Sequence, residues 1–243
     1  VEIMTGVPYV KKIIVIMSGK GGVGKSTISL QLCKELVQKG FSVGVLDADI
    51  HGPSIAHMVG QDALGLELNP DTKKIMPVPF FFDQANTLQA VYMSFGAMIK
   101  PGASIALRGP MISNILQQML FQVDWATADQ PLDYLVIDMP PGLGDIHLSL
   151  LKFIKPDDVV LVSTSDSLAL ADVSRTVATL EKIGVSITGI VENMAYFKCP
   201  HCDCRSSIFD CDQVSAFAYE NKIPFLGGVP FKRDIYQIWM GLT

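Results

Sequence analysis

The chain has 243 residues, 49% of them apolar and 18% charged, and its 19 basic against 24 acidic side chains leave a formal charge of −5. This is the composition of a folded globular protein with enough chain to bury a large core, and it excludes collagenous, low-complexity and disordered classes. No Lys/Arg block exceeds two residues, which argues against a nucleic-acid-binding face, and runs such as IIVIM and VVLV fall far short of the roughly 20 apolar residues a membrane-spanning helix needs.

No basic start with an apolar stretch and a small-residue cleavage site opens the sequence, so a cytoplasmic location is expected, or an organelle matrix after removal of a transit peptide. The first element is an apolar β-rich run, IIVIM at 13–17, followed by glycines and a helical stripe of Ile28, Leu32 and Leu36, on which Cys33 reads as a small buried hydrophobe. FSVGVL at 41–46 is the next strand. Residues 65–95 break the rhythm: GLELNPDTKKIMPVPF reads as a hairpin around an Asn-Pro-Asp turn, inserted beside the main sheet. After Pro110, a residue suited to a first helical turn, Met111, Ile112, Ile115, Leu116, Met119 and Leu120 form one helical stripe. Strands YLVID (134–138) and VVLVS (159–163) follow, then a second stripe of Leu170, Val173, Val177, Leu180 and Ile183, then VSITGIV (185–191). Continuous apolar strands alternating with helices predict an α/β fold, a doubly wound, mostly parallel sheet with helices on both faces. A single domain over 1–243 is expected, with the hairpin insertion at about 65–95 and a cysteine-containing metal loop at about 196–212. The last residues, RDIYQIWMGL and Thr243, read as a helix cut short.

Gly19 to Ser26 fits G-x-x-x-x-G-K-S/T between a strand and a helix, the context that gives this pattern its meaning. Gly21, Gly22, Val23 and Gly24 let successive N–H groups turn toward one anion, and the following helix, from Lys25 through Ser26 and Thr27, adds its positive end. Lys25 is placed to reach the β and γ phosphates and the Ser26 hydroxyl to ligate Mg²⁺. Asp138 ends one apolar strand, where a carboxylate can hold Mg²⁺ through its water shell, and the Pro-Pro-Gly-Leu-Gly loop after it is placed to sense the γ-phosphate. Asp47 and Asp49 end another strand, the place for a group that orients an attacking water. Carboxylates at several strand C-termini mark the edge where open α/β sheets bind ligands.

The segment GKGGVGKST resembles the deviant P-loop of the MinD/ParA/nitrogenase iron protein superfamily, in which an extra lysine reaches across a dimer. That resemblance implies that Lys25 serves its own chain's phosphates while Lys20 supplies charge in trans, much as an arginine finger does. An ordered set of further segments runs from about Lys11 to Pro230: DADIHGPS, LRGPM (107–111), VDW (123–125), LDYLVIDMPPGLGD, VENM (191–194) and YFKCPHC (196–202). Together they are similar to the Mrp/ApbC family of iron-sulfur cluster carrier ATPases. The resemblance implies binding and hydrolysis of ATP with Mg²⁺, a homodimer sharing a 4Fe-4S cluster, and exchange of that cluster with scaffold proteins and apo iron-sulfur proteins. It implies that Asp49 positions the water, Asp138 the Mg²⁺ shell, and Asn193 with the backbone near Pro230 the adenine. Cys199 and Cys202 would each give a thiolate to the cluster, soft donors suited to iron-sulfur chemistry. Neither nucleic acid nor membrane is expected as a partner.

The sequence departs from that family at Leu143, where Thr is usual, so hydrolysis is expected to be slow, and in the run CDCRSSIFDCDQ, which adds Cys204 and Cys211. Crowded cysteines leave a second reading open: a structural zinc held by Cys199, Cys202 and two of Cys204, Cys211 or His201. A MinD/ParA-like positioning ATPase is the rival that would share the nucleotide site, and it would need an amphipathic tail or a basic face. His51 beside Asp49 is a candidate phosphate contact, Arg108 a candidate dimer or loop contact, and Trp125 and Trp239 read as packing residues. His147 carries no partner pattern in the sequence.

Overall fold

In the computed structural model, which describes residues 6–50, 52–61, 65, 67–98, 109–209 and 212–231, the fold is built outward from strand β1 (Val10–Ser18). From Ile13 onward every residue of β1 is buried. Ile13, Val15 and Met17 enter one core and Ile14 and Ile16 another, so helices must cover both faces. The chain continues through helix α1 (Lys25–Gln38), β2 (Val43–Asp47), the short α2 (Ile55–Met58), β3 (Val78–Phe81), β4 (Gln89–Ser94) and the short α3 (Phe95–Met98). Then come α4 (Gly109–Phe121), β5 (Leu132–Asp138), α5 (Asp145–Ile154), β6 (Asp158–Ser163), α6 (Ser167–Lys182) and β7 (Gly189–Glu192). A separate hairpin of β8 (Tyr196–Lys198) and β9 (Arg205–Ser207) precedes α7 (Gln213–Glu220) and β10 (Phe225–Gly228).

The main sheet runs β10-β7-β6-β1-β5-β2-β4-β3, parallel throughout except that edge strand β3 is antiparallel to β4. The chain passes from β1 to β2, later returns to place β5 between them, and then crosses to put β6 on the other side of β1. This reversal leaves a crevice at the C-terminal end of β1, the usual ligand position of such sheets. The α1 side chains Ile28, Leu30, Cys33, Leu36 and Val37 supply one core; Leu116 and Leu120 of α4 and Leu150 and Leu151 of α5 supply the other. The Cys33 thiol is fully buried, and burial, then the charge of Asp138, pushes its pKa up, as suits a small hydrophobe. Trp125 is buried and its indole N–H donates to the Met119 carbonyl at 3.0 Å, so it packs as expected.

The structure differs from the sequence reading in four places. The Asn-Pro-Asp turn is present, with Leu68 bridged to Ile75 and the Asn69 side chain accepting from the Asp71 N–H at 2.9 Å, but the rest of 65–95 does not lie beside the sheet. β3 and β4 belong to the sheet itself, because Tyr92 and Met93 bury completely once Val91 to Ser94 pair with Gly44 to Asp47. In VSITGIV only the end is strand. Just before β7 begins, the Thr188 hydroxyl accepts the Val159 N–H at 3.1 Å while the Thr188 N–H donates to the Val159 carbonyl at 2.8 Å, so a side chain takes part in the pairing there. Met111 and Ile183 are 50% and 39% exposed, since the first lies in the opening turn of α4 and the second follows the end of α6. β10, FLGG, carried too little apolar signal to read as a strand. His51, Arg108, Cys211 and Trp239 lie outside the described residues. No helix among the described residues is long and apolar enough to cross a membrane.

Candidate functional site

The crevice at the end of β1 is floored by backbone. Gly22 and Gly24 have φ of 83° and 80°, in the left-handed region that favours glycine. Gly24 is constrained twice, because a Cβ there would stand 2.2 Å from the Asn193 amide nitrogen. With α1 starting at Lys25, the loop N–H groups and the positive end of a 14-residue helix converge on one place. A cleft of about 500 Å³ opens there, lined by the loop from Lys20 to Thr27 together with Asp49, Pro141, Met194 and Phe231. The sequence-derived set Gly21, Gly22, Val23, Gly24, Lys25, Ser26 and Thr27 is thus brought to one wall.

Its centre is Asp138, wholly buried at the end of β5. This carboxylate lies 2.8 Å from the Lys25 ammonium and accepts from the Ser26 hydroxyl at 2.5 Å and the Ser29 hydroxyl at 2.7 Å. The adjacent lysine and hydroxyl and the carboxylate 112 residues after Ser26 form one polar knot at the head of the helix. A hydroxyl and a carboxylate side by side are hard oxygen donors, a donor set that fits Mg²⁺.

Asp47 and Asp49 part company. Asp47 is buried and pairs in register with Asp138; it accepts from the N–H groups of Ser54 at 3.0 Å and Ile55 at 3.1 Å and from the Ser94 hydroxyl at 3.0 Å. Burial, and then the neighbouring Asp138 charge, push its pKa up to about 7. It anchors the loop that carries Asp49. Asp49 is half-buried, accepts from the Gly52 N–H at 3.1 Å and faces the cleft, where the sequence reading put a water-orienting group.

Asn193 is buried, and its amide donates to the Val23 carbonyl at 2.9 Å, so it braces the phosphate loop from behind. The residues that follow the expected adenine contacts, Met194 after Asn193 and Phe231 after Pro230, are the ones on the cleft wall. Lys20 lines the cleft too, and its ammonium lies 2.7 Å from Asp166 at the N-terminus of α6.

Sequence reasoning missed His147. Its Nδ1 accepts the Gly144 N–H at 3.0 Å, and its Nε2 lies 2.9 Å from the Pro140 carbonyl, so the Nε2–H tautomer ties both ends of the Pro-Pro-Gly-Leu-Gly loop. Leu143, partly buried, packs that loop onto the core. Burial holds the His147 pKa below its ordinary 6.5, with the Lys25 charge adding to the effect. A base with a depressed folded pKa stabilises fully above its unfolded value and loses that contribution as pH falls through the folded one. His147→Leu is therefore expected to cost about 1–3 kcal/mol, since two part-buried hydrogen bonds to the backbone are lost at about 0.5–1.5 kcal/mol each. Thermal unfolding should show that loss at pH 7.5 and a smaller one in acid, where the wild-type ring has itself become protonated. The only sequence signal was a histidine three residues after a helix-leading glycine.

The cysteine loop is a tight hairpin turn. The Cys199 N–H donates to the Cys204 carbonyl at 3.0 Å, the Asp203 N–H donates to the Cys199 carbonyl at 2.9 Å, and Lys198 pairs with Asp203 at 2.8 Å. Arg205 stacks over Tyr196 with its guanidinium 4.7 Å from the ring centroid. Cys202 is exposed, and the Cys204 N–H, then the Cys204 and Cys199 thiols, hold its pKa below the ordinary thiol range. Such a sulfur is primed as a thiolate ligand. Among the described residues no three His, Cys, Asp or Glu side chains are grouped to enclose a metal ion within the chain.

The ParA family model, described as NUBPL iron-transfer P-loop NTPase, matches residues 9–239. The cytosolic Fe-S cluster assembly factor CFD1 of Candida albicans is 37% identical over 98% of this chain and 84% of its own length. The iron-sulfur cluster carrier protein of Pyrococcus horikoshii is 37% identical over 89% of this chain and 73% of its own. Among solved structures, a nucleotide-binding protein from Archaeoglobus fulgidus in complex with ADP superposes with a TM-score of 0.78 at 34% identity, covering 95% of this chain and 86% of that one. The MinC:MinD cell division complex of Aquifex aeolicus, at TM-score 0.62 and 16% identity over 94% of this chain and 86% of that one, shares the fold.

Proposed function

This chain belongs to the ParA family of NUBPL iron-transfer P-loop NTPases, and from that premise we propose that it is an ATP-hydrolysing carrier that assembles a 4Fe-4S cluster between two copies of itself and passes it to apo-proteins. The observation that carries the reading is the coexistence, in one domain, of the Lys25–Ser26–Asp138 knot at the head of a glycine-rich loop and a tight turn that gathers Cys199, Cys202 and Cys204 at the surface.

The loop N–H groups and Lys25 bind and orient the phosphates, and Ser26 with Asp138 would hold Mg²⁺, which supplies charge to offset the phosphate oxygens. Asp49 orients the attacking water. Lys20 acts on the partner's nucleotide. His147 keeps the Pro140–Gly144 loop in place at the cleft margin, and without a hydroxyl at Leu143 turnover is slow. The cluster is cargo, held by Cys199 and Cys202 from each copy, so that opening the dimer releases it. The relatives named as cytosolic assembly factors support a cytoplasmic site of action.

Metal analysis of anaerobically reconstituted protein tests this reading. About two irons and two sulfides per chain are expected for a cluster of four shared by two chains. About one zinc per chain, with no iron retained, would replace the carrier by a nucleotide-binding zinc scaffold.

A further inference from the structure

Lys20 is not a free loop lysine. Its ammonium lies 2.7 Å from Asp166 Oδ2, and the same oxygen accepts the Ala169 N–H at 3.1 Å as the N-cap of α6. The carboxylate is therefore fixed by a 16-residue helix before the lysine arrives. The loop side of the contact is fixed as well. A Cβ on Gly19 would fall 2.5 Å from the backbone of Asp172 and Val173, so the chain runs directly against α6, and the Ser18 hydroxyl donates to the Lys20 carbonyl at 3.0 Å. Backbone contacts thus set where Lys20 starts, and Asp166 sets where it ends. The Lys20 and Asp166 side chains are 37% and 32% exposed, so the pair sits at the rim of the cleft, open to competition from another anion.

We infer that Asp166 is a positioning residue that holds Lys20 within its own chain, and that closure of two copies over nucleotide requires the phosphates of the partner to displace this carboxylate. The inference rests on the trans role given to Lys20 above. It makes Asp166 a brake: one lysine has two anionic partners, one always present and one present only when a nucleotide-loaded copy docks. The Lys20 bond, with the helix N-terminus behind it, holds the Asp166 pKa below the ordinary carboxylate range, so the competitor is charged at neutral pH.

Asp166→Asn tests the brake without removing the cap, since asparagine caps helices about as well as aspartate. An exposed ion pair shifts an equilibrium by about 1.4- to 5-fold, and a symmetric dimer opens two, so the dimer dissociation constant is expected to fall by about 2- to 30-fold. Sedimentation equilibrium with Mg²⁺ and a non-hydrolysable ATP analogue reads this, with nucleotide affinity of the dilute monomer as the reference that should not move. Raising the salt should narrow the difference between variant and wild type. In a Lys20→Ala background, Asp166→Asn should change nothing. Dimer affinity of Asp166→Asn equal to or weaker than wild type overturns the inference, as does an equal gain in the Lys20→Ala background. If the wild type dimerises and Asp166→Asn does not strengthen it, only the brake is lost; if the wild type fails to dimerise with the analogue, the proposed function fails with it.

Discussion

Replacing Lys25 with alanine is expected to lower ATP hydrolysis by about 100- to 1000-fold, the scale seen when one preorganised charge donor is removed from a transferring group. The same change also touches stability. Lys25 is 7% exposed and lies 2.8 Å from Asp138, which is wholly buried with Asp47 beside it in register. Breaking a buried pair by removing one partner costs about 3–5 kcal/mol. Loss of activity in Lys25→Ala would therefore mix two causes, and Lys25→Arg separates them. Arginine keeps the charge opposite Asp138, but its planar fork replaces a compact ammonium at the phosphate site. A thermal midpoint near wild type together with hydrolysis reduced as in Lys25→Ala would assign the loss to phosphate recognition. Wild-type turnover in either variant would contradict the role given to Lys25.

Replacing Cys199 and Cys202 together by serine is expected to abolish iron retention while nucleotide affinity stays unchanged. The hairpin of β8 and β9 pairs through backbone bonds and through the Lys198–Asp203 and Arg205–Tyr196 contacts, none of which uses a thiol. The turn should keep its shape with hydroxyls in place. Hydroxyls are poor ligands for iron-sulfur clusters, so iron should fall from about two per chain to none. Cys204→Ser is the informative companion. What Cys204 chiefly gives Cys202 is its backbone N–H, which serine retains, so this variant is expected to keep its iron. Iron retained by the double variant would move the cargo site elsewhere; iron lost in Cys204→Ser alone would add a third ligand.

Strands β1, β2, β5 and β6 and helices α1, α4 and α6 were legible because each of those strands carried a continuous apolar run and each of those helices a stripe, whereas α5 and α7 were not read. The phosphate loop was legible because its spacing is local: Gly24, Lys25 and Ser26 are neighbours in the chain. β4 was not, since QAVYMS acquires its buried character only when Val91 to Ser94 pair with β2. The division of labour between Asp47 and Asp49 was equally hidden. Two residues apart in sequence, they face opposite ways, one into the sheet against Asp138 and one into the cleft. His147 and Asp166 escaped for a related reason. An N-cap aspartate can be read from the residues after it, but its hold on a lysine 146 positions away exists only after the chain has folded.

The central claim is that one closure event brings two nucleotides and two pairs of sulfurs together. Sedimentation velocity of anaerobically reconstituted protein, followed at the visible absorbance of the cluster, tests it most directly. With ATP and Mg²⁺ present, the absorbing species is expected to sediment as a dimer, and Cys199→Ser/Cys202→Ser protein is expected to dimerise without colour. A cluster that sediments with the monomer, or a chain that stays monomeric with nucleotide, Mg²⁺ and iron all supplied, would contradict it.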